Sequence, residues 1–328
     1  MKEILNELIE HRSLSKETAR KVLVDLASGK FNPSQATAFM TVYMMRAITV
    51  DELQGFRDAM LELCIRVTFE QPVMDVCGTG GDGKNTFNMS TLAAFVVAAA
   101  GQAVAKHGNY GVSSACGSSN VLEHFGYRFT NDVDLLKRDM ERANICFMHA
   151  PLFHPAMKNV APIRKDLGVK TFFNMLGPMV NPAFPEKQLV GVFNLELARQ
   201  YGYLYQNTTK DFAIIHSLDG YDEVSLTGAI KFFDNEGEQI IIPDAFGLAT
   251  LDPAGIRGGD SVETSARIFL NVLENKGTTA QTNAVIANAA MALYTANRKD
   301  GLVSATAHAR EALESGKAMT AFKKLINS

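Results

Sequence analysis

The 328-residue sequence is poor in the features that mark several common classes of protein. Its four cysteines, Cys64, Cys77, Cys116 and Cys146, lie far apart with no CxxC or Cys/His metal spacing, and they read as reduced, buried thiols of a cytosolic protein. Charge of one sign is also lacking. The net charge is −3 and the 32 basic residues are scattered, so no basic run exists to track a nucleic-acid backbone or an anionic membrane. The longest apolar stretch, residues 92–100, is about half what a bilayer crossing needs. The N-terminus is charged and amphipathic, without the apolar core and small-residue cleavage site of a signal peptide, which places the protein in the cytoplasm. There is no internal repeat, no low-complexity tract, and no Ser/His/Asp or Cys/His set that must serve as nucleophile and base.

What is present is an ordinary globular composition, 47% hydrophobic and 20% charged, at a length of two domain-equivalents. Over residues 1–67 apolar positions recur at helical spacing, as in Ile4, Leu5, Leu8 and Ile9, then Ala19, Val22, Leu23 and Leu26. Ser15, Asn32 before Pro33, and Thr49 each stand where a helix should start. A compact bundle of short helices is expected there. From Val73 the pattern becomes strand, glycine cluster, buried helix, which is how an α/β domain opens. Further strands are suggested at AVAKHG, ICFMHA, LVGVFN and FAIIHS, with a hairpin over 230–242 turned at Asn235 to Gly237. Two helices, over 280–297 and 304–314, are expected to close the chain. The proline- and glycine-bearing stretch between Pro151 and Pro185 reads as loop that passes back over the bundle. The domains are thus 1–67, joined by a return segment around 162–182, and 68–328.

The sharpest chemical feature is Gly78-Thr79-Gly80-Gly81-Asp82-Gly83 between strand and helix. Glycines let backbone N–H groups approach a polyphosphate, and a helix N-terminus adds a favourable dipole. Lys84 completes the spacing of a nucleoside-triphosphate loop, but Asn85 stands where that motif needs a Ser or Thr hydroxyl for magnesium. Ser90, in Asn88-Met89-Ser90-Thr91, is either a plain N-cap or a phosphate or metal contact. Lys106-His107-Gly108-Asn109 and the Ser/Gly-rich run from Val112-Ser113-Ser114 to Ser118-Ser119 suit a second set of phosphate contacts at a strand end. A surface lysine and a core histidine are the bland alternatives. Asp222-Glu223 could hold magnesium or form a solvated turn.

Taken together, these segments resemble the anthranilate phosphoribosyltransferases over nearly the whole chain. The likeness rests on GTGGDG with TFNMST, KHGN with VSSACGSSNVLE, HPAMKNVAPIRKDLGVKTFFNMLGPMVNP, and DGYDEVS, in the family's order. It implies a class III, nucleoside phosphorylase-like phosphoribosyltransferase fold: a small N-terminal all-α domain plus a larger α/β domain with a central, mostly parallel sheet flanked by helices. It implies transfer of the 5-phosphoribosyl group from phosphoribosyl pyrophosphate to the amine of anthranilate, in tryptophan biosynthesis. The donor would be bound by Gly78, Gly80, Gly81, Asp82, Thr86, Asn88, Ser90, Thr91, Lys106 and Ser118. Anthranilate would be bound by Gly78, His107, Asn109, His154, Arg164, Gly177 and Pro178, with the planar Arg164 guanidinium gripping the carboxylate. Ser90, Asp222 and Glu223 would be metal ligands, two magnesium ions per subunit are implied, and a homodimer is expected. Tyr110, Ser119-Asn120 and His149 depart from the family's usual residues. Two rivals are weighed beside this reading. A pyrimidine nucleoside phosphorylase has no counterpart to Arg164 with LGPMVNP, and a nucleic-acid-binding relative of the fold should be basic and should have lost Asp222 and Glu223.

Overall fold

A computed structural model describes residues 1–111 and 115–327. The chain opens with helices α1 (Lys2–Ile9), α2 (Lys16–Ala27), α3 (Pro33–Met45) and α4 (Val50–Glu62). There follow β1 (Met74–Gly78), α5 (Met89–Ala99), β2 (Val104–Gly108), α6 (Ser118–His124), α7 (Val133–Ala143) and β3 (Ile145–His149). Short α8 (Ala150–Phe153) and α9 (Ala161–Leu167) lead through 3₁₀ turns to β4 (Lys187–Gly191), α10 (Leu195–Tyr205), β5 (Asp211–Ser217), β6 (Ile230–Asp234) and β7 (Gly237–Ile241). The chain then runs through α11 (Val262–Leu273), α12 (Thr279–Ala296), α13 (Gly301–Glu314) and α14 (Lys317–Ile326). Met1–Val67 and Ala150–Phe184 form one compact unit, Thr68–His149 and Pro185–Ser328 another.

The first unit is helical, and its starts follow from local chemistry. The Ser15 hydroxyl accepts the Thr18 N–H, while Asn32 with Gln35 and Thr49 with Glu52 make reciprocal capping boxes. Its core is aromatic: Phe56 stacks on Phe172 at 4.5 Å between centroids, and Phe39 and Tyr43 meet both edge-on. The 150–184 segment thereby supplies a core ring to helices that precede it by about a hundred residues in sequence. Glu52, fully buried, accepts from the Leu14 N–H, the Tyr43 hydroxyl, the Thr49 N–H and hydroxyl, and the Arg46 guanidinium.

The second unit is built on a seven-stranded sheet of order β3-β2-β1-β4-β5-β6-β7. β1 is parallel to β2 and β4, β2 to β3, and β4 to β5, while β6 runs against them, pairing antiparallel with both β5 and β7. This is the mixed, mostly parallel sheet the sequence leads one to expect. From β1 the chain winds first to β2 and β3 and then returns to β4 on the other side, so loops leaving β1 and β4 diverge and open a crevice at their C-terminal ends. The glycine loop leaves β1 at that place. Helices α5 and α12 are apolar nearly all round and lie in the core.

Two expectations need correction. A third closing helix, α14, follows α13; Ala318, Ala321, Phe322 and Leu325 form its buried stripe, too short a repeat to stand out beside the longer helix before it. Cys64 is half-buried rather than buried, although all four cysteines are free. Among the described residues, no helix is long and apolar enough to cross a membrane.

Candidate functional site

In the α/β unit, the glycine loop turns on residues in the left-handed region: Gly80 (φ 65°), Gly81 (φ 85°) and Gly83 (φ 73°), followed by Asn85 (φ 48°). Only glycine takes such angles without strain, which explains the loop's composition. The Thr79 N–H donates to the Gly191 carbonyl at 2.8 Å. At the far end the Asn85 carbonyl accepts the Gly258 N–H at 2.7 Å, and Thr86 bridges to Arg257. The loop is therefore pinned at both ends.

Asp222 and Glu223 lie over this loop. The Asp222 carboxylate accepts the Gly80 N–H at 2.6 Å and Glu223 accepts the Ser90 N–H at 3.3 Å. A Cβ on Gly191 would fall 1.5 Å from the Asp222 carbonyl oxygen, so the close passage of this segment over the end of β4 requires glycine there. Burial, reinforced by the charges of Glu223 and Asp82, raises the Asp222 carboxyl well above its ordinary range. Burial also raises Glu223, to about 7, against the opposing pull of Lys106 and the Ser90 N–H. The solvated-turn alternative for these acids is excluded by their burial.

Ser90 is not an N-cap. Asn88 holds that position and makes no side-chain cap, while Ser90 and the buried Thr91 stand in the first turn of α5. Asn88 Nδ2 donates to the Cys116 carbonyl at 2.9 Å. Its Oδ1 and the Thr79 hydroxyl are buried polar atoms with no hydrogen-bond partner among the described residues, a cost that a polar ligand would relieve. Asp82 accepts from the Lys84 and Asp222 N–H groups.

Lys106 is no surface lysine. It is 2% exposed, its ammonium donates to the Val76 carbonyl, and it acts electrostatically on Glu223. His107 is buried beside it, its N–H donating to Asp75. The Asn109 carbonyl accepts from the Ser119 N–H at 3.1 Å and the Ser118 hydroxyl at 3.2 Å. Val112, Ser113 and Ser114 lie outside the described residues. The positions that depart from the family pattern meet in one place: Ser119 Oγ lies 2.9 Å from His149 Nδ1, and Tyr110 contacts the His149 ring edge-on at 4.8 Å. Asn120 Oδ1 accepts the Gly111 and Gly117 N–H groups.

In the helical unit, Arg164 sits on α9 with its guanidinium 5.0 Å from the Phe173 ring centre. Arg164 is partly buried, burial lowers its pKa, and among the described residues no carboxylate opposes that effect. His154 Nε2 lies 3.0 Å from the Val180 carbonyl, and burial lowers its pKa to about 4, which keeps it neutral at pH 7. Gly177 and the buried Pro178 open the 3₁₀ turn Gly177–Val180, where a Cβ at Gly177 would meet open space.

Three residues of the α/β unit escape a reading of sequence: Gly191, Ser217, whose hydroxyl donates to the Glu223 carbonyl, and Asn288 on α12, which bonds Val224. The one available signal is an asparagine inside the apolar run of α12.

A parallel-sheet domain with a pinned glycine loop facing buried acids and a buried lysine defines a phosphate-handling transferase. Known proteins agree. Residues 2–64 match the glycosyl transferase family, helical bundle domain, and residues 70–319 the glycosyl transferase family, a/b domain. An anthranilate phosphoribosyltransferase of Christiangramia forsetii is 59% identical over 326 residues, covering 99% of this chain and 98% of that one. The crystal structure of anthranilate phosphoribosyltransferase from Thermus thermophilus superimposes with a TM-score of 0.91 at 32% identity, covering 98% of each chain. The Saccharomyces cerevisiae enzyme in complex with PRPP and Mg shares the fold, with a TM-score of 0.91 at 24% identity over 98% of this chain and 96% of that one. The chain belongs to the anthranilate phosphoribosyltransferase family.

Proposed function

We infer that this chain transfers the 5-phosphoribosyl group of phosphoribosyl pyrophosphate to the amine of anthranilate in tryptophan biosynthesis. The C1–N bond forms, the bond from C1 to the pyrophosphate oxygen breaks, and the amine's proton leaves as the new bond closes. The observation that carries this reading is the buried Asp222-Glu223 pair, held in a rising-pKa environment against the glycine loop and Lys106. Such a pair calls for a cation, and its hard oxygen donors with the Ser90 hydroxyl suit magnesium. Among the described residues no three His, Cys, Asp or Glu side chains converge as a closed metal cage, so remaining ligands would come from water and from the donor's phosphates, as magnesium commonly arranges. Bound magnesium would neutralise charge building on the departing pyrophosphate.

The protein's own groups supply binding and orientation. Gly80 and Gly81 of the glycine loop with the Lys106 ammonium would bind the pyrophosphate, while Gly78, Asp82, Thr86, Asn88, Ser90, Thr91 and Ser118 would hold the rest of the donor. Asn88 Oδ1, buried without a partner among the described residues, accepts a hydroxyl. In the helical unit Arg164 would take the anthranilate carboxylate, with His154, Gly177 and Pro178 as further acceptor contacts, and in the α/β unit His107 and Asn109 would contact the acceptor. No base is required, since an aromatic amine is neutral at pH 7 and positioning with electrostatic stabilisation suffices. Two magnesium ions per subunit, a homodimer and a cytoplasmic setting complete the proposal.

The test is loss of anthranilate fluorescence on mixing the protein with magnesium and phosphoribosyl pyrophosphate. A decay that needs all components supports the reading. Phosphorolysis of uridine or thymidine with no change in anthranilate overturns it.

A further inference from the structure

We propose that Asn288 is a positioning residue that sets the Asp222-Glu223 carboxylates in place through the backbone of Val224. Asn288 is fully buried in α12 among Ala287, Ala289, Ala290 and Met291. An amide there is costly unless its polar atoms are satisfied, and an apolar side chain would suit the helix better. Its Oδ1 accepts the Val224 N–H at 3.0 Å, while its Nδ2 donates to the Val224 carbonyl at 2.9 Å and to Ala284 of its own helix at 2.8 Å.

Gripping both the N–H and the carbonyl of one residue fixes its rotation as well as its position, as a strand neighbour would. The peptide so held begins at Glu223. On its other side the Glu223 carbonyl accepts the Ser217 hydroxyl at 2.6 Å. With both flanks held, the two acid side chains leave the backbone in directions fixed by covalent geometry, toward the N–H groups of Gly80 and Ser90. Asn288 Nδ2 also lies 3.8 Å from the Met89 sulfur, next to Ser90. One side chain therefore gauges the separation between the acid segment and the start of α5.

The inference rests on the acids being metal ligands, and it makes Asn288 an outer partner that touches neither metal nor substrate. The experiment measures manganese(II) binding by electron paramagnetic resonance, with phosphoribosyl pyrophosphate present, in the whole protein. Asn288→Ala should weaken that binding about tenfold to a hundredfold, the cost typical of a lost outer partner, while the KM for anthranilate stays within about twofold. Asn288→Ser keeps a neutral hydroxyl that can bond the Val224 backbone, buries no charge, and should lie between. Unchanged manganese affinity alongside a lowered melting temperature makes Asn288 a packing residue and overturns the inference. Asp222→Asn with Glu223→Gln is the control. If manganese binding survives it, the metal reading falls and this inference with it; if binding is lost there but unaffected by the Asn288 variants, the inference alone falls.

Discussion

Glu52 in the helical unit and the Asp222-Glu223 pair in the α/β unit are alike hidden from water, yet their surroundings treat charge in opposite ways. Burial pushes Glu52 up, but the Arg46 guanidinium and the N–H groups of Leu14 and Thr49 outweigh it and hold the carboxyl below its ordinary range. Asp222 and Glu223 face one another and Asp82, and the Gly80 and Ser90 N–H groups with Lys106 do not compensate. Burial alone therefore does not mark a functional acid. What marks it is negative charge that the protein itself leaves under-neutralised. Glu52 is neutralised within the fold, whereas the pair keeps negative charge that its neighbours do not neutralise.

The strongest way to break this contrast is to neutralise each side in turn. Asp222→Asn with Glu223→Gln should lower magnesium-dependent turnover by at least about a thousandfold, or about 4 kcal/mol, because magnesium, whose positive charge would offset the negative charge building on the pyrophosphate, would lose its carboxylate ligands. The same change should raise the melting temperature without metal at about pH 8, where a neutral amide replaces a carboxyl whose ionisation is costly in the folded state. Unchanged turnover would refute the metal role.

Glu52→Gln should behave in the opposite way. It strands the Arg46 cation and should cost about 3 to 4 kcal/mol of folding stability in a urea titration, as loss of one partner from a buried ion pair does. The KM values of the protein that remains folded should not move. A selective rise in one KM would place Glu52 in the site after all.

The pair's titration gives a third, smaller effect. Glu223 has a folded value of about 7 against an ordinary 4.5. Between those values the folded state keeps a proton that the unfolded chain has lost, so stability falls as pH rises through this window and the full cost is present above it. The size is at most about 3 kcal/mol. His154 runs the other way: its folded value of about 4 lies below the ordinary 6.5, so its contribution is lost as pH falls through that window. Metal-free melting temperatures of Glu223→Gln should exceed those of the parent more at about pH 8 than at about pH 5. A constant difference across pH would remove the raised pKa from the argument.

How much of this was legible in sequence depends on how local each cause is. Ser15, Asn32 and Thr49 act within four residues, and all three cap the helices they precede. The glycine loop shows its backbone angles in its composition. The acids do not show theirs, because their state is set by partners such as Gly80, 142 residues away, and Asn288, 64 residues from Val224. For Lys106 a surface lysine likewise stays open as an alternative to a phosphate contact until β1 is laid beside β2 and the side chain is seen to be buried. Gly191 looks like any strand glycine until the Asp222 carbonyl is placed against it.

Arg164 is the cationic counterpart of the same idea, a partly buried charge in the helical unit that no carboxylate among the described residues offsets. Arg164→Ala should raise the KM for anthranilate about thirtyfold, close to 2 kcal/mol, as loss of a charged hydrogen bond to a carboxylate implies. The KM for phosphoribosyl pyrophosphate should change little if its contacts lie, as proposed, on the glycine loop. Arg164→Lys should recover only part of the loss, because an ammonium keeps the charge but not the planar, two-pronged grip. Equal rises for both substrates, or full recovery with lysine, would show that the arginine answers no carboxylate and that its free charge has another use.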